Sequence, residues 1–350
     1  MLIGLIAFVG LSFLILMHEA AHFATAKLFG LRVHEFGLGF PPRLFVWKKG
    51  ETEYSVNLLF FGGFVRIAGE NDRLTNEANA HTELPPEERK RYFSVQPAWK
   101  RAIIIAAGVL MNFVIGWLLF AGVFMIGTEQ AVVVTGIQSD SPAEASGFAN
   151  GDVLTEFKSS EEFIVFVNAH RGEDTAFMIR RGGETVTLRA MPRVATQENE
   201  GALGVYLGDA GFASRPLFTA LGDGLWQTGL IFWYTLTAFG ELLQSIFLHA
   251  RIPAGVAGPV GIFSVAQETG KLGLIYLVQL LALISVNLSV LNLIPFPALD
   301  GGRLFLVLIE KIKGSPVSTR IEAFLNGLGF AFLMLLFLGI TVNDIVRLFR

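Results

Sequence analysis

The chain of 350 residues contains no cysteine. That excludes a thiol nucleophile, a Cys-ligated iron–sulfur cluster, a thiolate zinc site and any disulfide. Charge is scarce as well: Asp, Glu, Lys and Arg make up 16% of the residues and the formal net charge is −3. No run of Lys and Arg interleaved with aromatics occurs, so nucleic acid is not an expected partner. Before Lys27 there is no Lys or Arg at all. Without a basic n-region or a small-residue cleavage site, the apolar N-terminus reads as a retained helix and not as a secretory signal.

What the chain does have is apolar residues, 52% of the total, far more than an average soluble protein carries. A bilayer core of ~30 Å needs about 20 apolar residues in a helix. Four stretches meet that requirement: Leu2–Ala26, Ala102–Ile126, Tyr276–Leu299 and Ala323–Val342. The fold expected is a multi-pass α-helical membrane protein with four transmembrane helices. Lys27–Arg101 holds 12 Lys and Arg against 9 Asp and Glu, whereas Gly127–Ile275 holds 9 against 16. The positive-inside rule then puts the first loop and the Arg303–Arg320 loop in the cytoplasm, and both termini outside.

Four regions follow. Residues 1–126 form the first half of the membrane core, including a Gly-rich β-hairpin over His34–Glu70 on the cytoplasmic side. Residues 128–200 form an inserted α+β domain, with β-type runs at Ala131–Ile137, Phe163–Val167 and Thr185–Met191. Its Ser141–Phe148 and Asn150–Leu154 resemble the helix-turn-strand signature of bacterial PDZ domains, and Gly201–Val205 is the candidate carboxylate loop. Residues 215–275 hold an interfacial amphipathic helix and linker, because Gly224–Gly240 is short for a crossing and rich in Trp and Tyr. Residues 276–350 complete the membrane core.

His18-Glu19-Ala20-Ala21-His22 lies inside the first apolar span. Histidines four apart on a helix share one face, so both can ligate one zinc ion, leaving Glu19 to take a proton from water. Ionisable groups at membrane depth are costly and usually mark a site. A catalytic zinc takes three protein ligands, and Asp300 is the one carboxylate at the end of the third span. If Gly224–Gly240 does not cross, the first and third spans run in the same direction and His18, His22 and Asp300 meet at one depth. Pro295 and Pro297 break the helix ahead of Asp300 and turn irregular backbone toward the cleft. Asn292, assisted by Asn287, is then the candidate contact to an unwound substrate backbone; Asn287 serves equally well as a helix–helix hydrogen bond. The hairpin edge offers a place for an extended substrate to add as a strand.

These motifs, together with Gly258-Pro259-Val260-Gly261-Ile262 and the run from Asn292 to Gly302, resemble the site-2 protease family, in its bacterial RseP-like branch, over nearly the whole chain. The resemblance implies a Zn2+ cofactor held by His18, His22 and Asp300, with Glu19 as catalytic base and Asn292 on the substrate. It further implies regulated intramembrane proteolysis in the bacterial inner membrane, with the active site toward the cytoplasm, the PDZ-like domain outside, and membrane-spanning proteins such as anti-sigma factors or signal-peptide remnants as substrates. One PDZ-sized insertion, not two, is present. The competing expectation is a non-catalytic PDZ-containing membrane scaffold.

Overall fold

A computed structural model describes residues 2–70, 85–196, 201–249, 258–315 and 317–348. Residues 71–84 of the basic loop, 197–200 at the end of the expected domain and 250–257 of the expected linker lie outside them. In chain order the elements are α1 (Leu2–Leu28), β1 (Val33–Lys49), β2 (Thr52–Ile67), α2 (Pro86–Arg89), α3 (Ala98–Ile126), β3 (Ala131–Ile137), α4 (Pro142–Ala145), β4 (Val153–Leu154) and α5 (Ser160–Ala169). They continue with β5 (Thr175–Arg181), β6 (Glu184–Ala190), β7 (Val205–Ala210), α6 (Leu217–His249), α7 (Pro259–Leu272), α8 (Leu274–Leu293), α9 (Asp300–Lys313) and α10 (Thr319–Leu348). The chain forms two compact units, residues 1–121 with 221–350, and residues 122–220.

In the larger unit, α1, α3, α8 and residues 320–346 of α10 are long and apolar enough to cross a membrane. Away from His18, Glu19 and His22 in α1 and from Lys100, Arg101 and Asn112 in α3, both helices are mostly apolar on every face, as membrane helices are. Hydroxyls tie α8 to α3: Ser285 Oγ donates to the Asn112 carbonyl at 2.8 Å and Ser289 Oγ to that of Val109 at 2.9 Å. The third span ends earlier than expected, at Leu293 and not Leu299, because neither Pro295 nor Pro297 has an N–H to continue the ladder.

β1 and β2 pair antiparallel, and both are longer than the expected runs. Residues 35–38 of β1 face 63–66 of β2 on one side and 53–56 on the other, while 43–49 face 52–57. Each strand therefore doubles back, and the runs lie in the order 43–49, 53–57, 35–38, 63–67, leaving 63–67 at an edge. Leu31, Val33, Ile67, Phe93, Ile104 and Val307 form the buried cluster beneath this sheet.

In the region 215–275, α6 is continuous over 33 residues and touches α3 and α8 at separate points. Trp117 Nε1 donates to the Leu221 carbonyl at 2.8 Å, Phe113 meets Phe232 edge-to-face, and Thr235 Oγ1 donates to Asn287 Oδ1 at 2.7 Å. Small buried residues, Gly224 and Thr228, allow this approach. Beyond these contacts α6 is largely exposed, Trp226, Trp233 and Tyr234 included, and it is not among the helices long and apolar enough to cross a membrane.

The smaller unit carries a five-stranded sheet in the order β6-β5-β4-β3-β7. Val132, Leu154, Phe163, Phe177, Ile179 and Leu203 are among the residues of its core. β7 extends the unit past the expected boundary at residue 200. Phe163–Val167, expected as a strand, is helical. Ser159 caps α5 by accepting from Glu162 N at 3.2 Å, and Glu162 Oε2 reaches back to Lys158 N at 2.8 Å. This reciprocal cap fixes a helix start, after which Phe163 and Val167, four apart, both face the core.

Candidate metal centre

α1 presents His18 and His22 from one face, and both are buried. Their rings meet edge to face with Nε2 atoms 3.2 Å apart. Asp300 arrives from a helix that starts anew. α8 closes with Ile294 N donating to the Val290 and Leu291 carbonyls, and the chain then runs irregularly to Ala298, a left-handed residue at φ +72°. Its N–H is held by Asn326 Oδ1 of α10 at 3.1 Å. α9 begins at Asp300 directly against this broken end. A side chain on Gly301 would strike the Leu293 and Ile294 carbonyls, and one on Gly302 the Phe296 carbonyl. Only glycine fits so close an approach.

The result is a triangle of donor atoms. Asp300 Oδ2 lies 3.0 Å from His18 Nε2 and 3.3 Å from His22 Nε2. Four ligands placed tetrahedrally at 2.0–2.1 Å from zinc are separated by roughly 3.3 Å, so the three edges match three corners of such a site. Asp300 Oδ2 is buried and makes no hydrogen bond of proper geometry; the nitrogens facing it share its need for a cation. The residues fit zinc.

A second layer orients the rings. His22 Nδ1 is 2.8 Å from the Ile104 carbonyl, and since a carbonyl only accepts, Nδ1 carries the proton and Nε2 keeps its lone pair for metal. His18 Nδ1 lies 3.3 Å from the amide of Asn112, whose Oδ1 is buried and unpartnered. Turning that amide by 180° puts Oδ1 where it accepts from His18 Nδ1–H, which frees His18 Nε2 in the same way. One turn earlier on α3, Gly108 lies under both rings: a methyl there would contact His22 Nε2 and His18 Cε1. Sequence reasoning missed both residues. The available signal was Asn112 itself, a lone amide in an apolar span, with glycine four positions before it.

Glu19 stands beside the ligands, its Oε2 accepting from Val65 N on the edge run 63–67 at 3.1 Å. A cavity of about 100 Å³ adjoins it, lined by Glu19, His22, Val65, Glu70, Asp300 and Arg303 among others. Arg303, one turn after Asp300, pairs with Glu70 at 2.5 Å. The structure thus brings together His18, Glu19, His22 and Asp300. Of the expected substrate contacts, Asn287 is engaged by Thr235, Asn292 is partly buried near the end of α8, Pro297 packs beneath Gly329 of α10, and Pro295 faces a separate groove. None of the four lines the cavity beside Glu19.

The sequence model of peptidase family M50 matches residues 6–336, a span that includes every one of these groups. The chain belongs to peptidase family M50. Similar M50 relatives include the zinc metalloprotease RasP of Shouchella clausii, 31% identical with 99% of each chain covered. Another is the putative zinc metalloprotease CPE1693 of Clostridium perfringens, 30% identical over 97% of each chain. The regulator of sigma-W protease RasP of Bacillus subtilis is 27% identical over 96% of each. This M50 chain is a site-2-type metalloprotease, and its cofactor is Zn2+.

Proposed function

We propose that the enzyme cleaves peptide bonds within membrane-spanning segments of other membrane proteins, in the bacterial inner membrane. The observation that carries this reading is that the three ligands and Glu19 converge where one apolar span meets the broken end of another. A soluble substrate has no reason to be cut there. Bound at His18, His22 and Asp300, Zn2+ supplies Lewis acidity toward water and the scissile carbonyl. Glu19 takes the proton of the attacking water and returns it to the leaving amine.

Val65 N–H points away from its pairing partner and is held by Glu19. A substrate strand added to the 63–67 edge takes that N–H with its own carbonyl, lies extended across the cavity, and leaves Glu19 free to accept a proton. Asn292, with Pro295 and Pro297 in the irregular stretch after it, is the proposed contact for substrate approaching from the α8 side. Asn287 is better supported as an interhelical bond.

We assign residues 122–220 a PDZ-like role on the outer face, gating substrates already trimmed of bulky outer domains. In support, α4 and β4 reproduce the expected helix-turn-strand, and Leu203 O and Gly204 O of the candidate loop accept from Ala143 N and Gln138 N. A sigma-factor pathway is an attractive setting, since the Bacillus subtilis relative is named for sigma-W.

The decisive experiment gives the purified, reconstituted protein a membrane-spanning model peptide and a water-soluble one. Cleavage of the first alone is expected, and it ends when Glu19 is replaced by Gln while bound zinc is unchanged. Cleavage of both peptides at equal rates would sink the intramembrane reading.

A further inference from the structure

Beside α9, away from the catalytic cavity, lies a groove of about 630 Å³ bounded by the first turns of α3, the broken end of α8 and α9 itself. That volume falls within the ~300–1,000 Å³ range of small-molecule sites. Ala102, Ile103, Pro295, Leu304 and Leu308 make its walls apolar, and Trp99 and Lys311 join the lining.

α9 is strongly two-faced. Asp300, Arg303 and Glu310 point to one side, where Arg303 pairs with Glu70 and Glu310 with Arg101. Phe305, Leu308 and Ile312 occupy the opposite face and are 49%, 52% and 79% exposed. At 14 residues and 1.5 Å per residue, α9 spans roughly 21 Å, too short to cross a ~30 Å core. A short helix of this kind rests in the membrane interface. Trp99, at the start of α3, is the aromatic residue expected at headgroup depth.

The charge at this spot has one sign. Lys311 lines the groove, whereas Lys313, two residues on, lies on the other side of α9. Lys100 sits over the rings of Phe29 and Trp99, at 5.6 and 5.7 Å from their centroids. Among the described residues none of these three lysines has an ion-pair partner, whereas neighbouring Arg101 is neutralised by Glu310 at 2.7 Å. An apolar groove at interface depth, with uncompensated cations at its side, is complementary to a lipid that carries both an acyl chain and a net negative headgroup.

We propose that this groove binds an anionic phospholipid, with an acyl chain along Ala102, Ile103 and Leu308 and the phosphate held by Lys311 and Lys100. A zwitterionic lipid would bring its own ammonium to the lysines, and an apolar helix would leave them without a counter-charge. Gly301 also lines the groove, immediately after Asp300. Occupancy therefore bears on the segment that presents the third ligand; this consequence rests on the proteolytic reading, and the binding itself does not.

The absence of native cysteine allows a clean probe. Leu308→Cys, labelled with bimane in the full chain, is reconstituted into phosphatidylcholine vesicles holding a minor fraction of brominated phosphatidylglycerol or of brominated phosphatidylcholine. Brominated phosphatidylglycerol is expected to quench several-fold more than the same fraction of brominated phosphatidylcholine. Adding Lys311→Gln and Lys100→Gln should weaken that preference by about fivefold per lysine, and the paired Arg substitutions should keep it. Bound zinc, measured in every variant, reports an intact core independently of cleavage. Equal quenching by the two lipids would overturn the proposal. So would quenching by neither, which means that protein covers the groove, or a preference untouched by the Gln pair.

Discussion

A single methyl group at position 108 is a sharp test of the metal centre. In Gly108→Ala the new carbon contacts His22 Nε2 and His18 Cε1, atoms whose positions set the donor triangle. Bound zinc should fall well below one per chain while the helices stay folded, and metal analysis alongside circular dichroism checks this. Glu19→Gln has the complementary signature: zinc stays, and hydrolysis drops by at least ~100-fold, the lower end of what a general base contributes. Zinc loss in that variant would mean that Glu19 holds the metal. The four chemical groups could be read from sequence because zinc dictates residue type and spacing, and because charge is so costly at membrane depth. Asn112 stood out only as a lone amide in an apolar span, and its role and that of Gly108 depend on which helix lies against α1, which the sequence of α3 alone does not say.

Among the elements, the edge run 63–67 carries the most exposed prediction. Proline is tolerated on an edge strand where its missing N–H faces away from the partner, so Val65→Pro should fold and retain zinc. It removes the donor proposed to receive the substrate carbonyl, and it also frees Glu19 from Val65. KM for a membrane-spanning peptide should therefore rise, with kcat affected less; a fall in kcat at unchanged KM would assign Val65 to orienting Glu19 alone. The long helices were legible because twenty apolar residues leave few alternatives. Phe163–Val167 was misread because a short continuous apolar run fits a strand or a helix until the Ser159–Glu162 cap is noticed.

For the molecule as a whole, metal and acid leave different marks on the two units. Chelation should abolish hydrolysis and Zn2+ should restore it, without disturbing residues 122–220. Acid should also weaken residues 122–220 themselves. Burial raises the Asp152 carboxyl, but its ion pair with Arg181, at 2.6 and 2.7 Å, and a hydrogen bond from Ala149 N hold it below the ordinary aspartate value. A depressed pKa in the folded state contributes stability that is complete above the unfolded value of ~3.9 and is lost as pH falls through the folded one. Amide protection across β3–β6, compared between wild type and Asp152→Asn in the full chain at matched pH, should differ widely at neutral pH, and the gap should close below about pH 4. A gap that persists in acid would show that the ion pair is not its source.

The broken end of α8 also bears on biosynthesis. His18 and His22 leave the ribosome long before Asp300, and Asn326 of α10, which fastens the segment before Asp300, follows later still. A nascent fragment that stops short of α9 therefore lacks one corner of the donor triangle. A protease that would share the membrane with its neighbours while still being made is thus without its complete metal centre until α9 has been added.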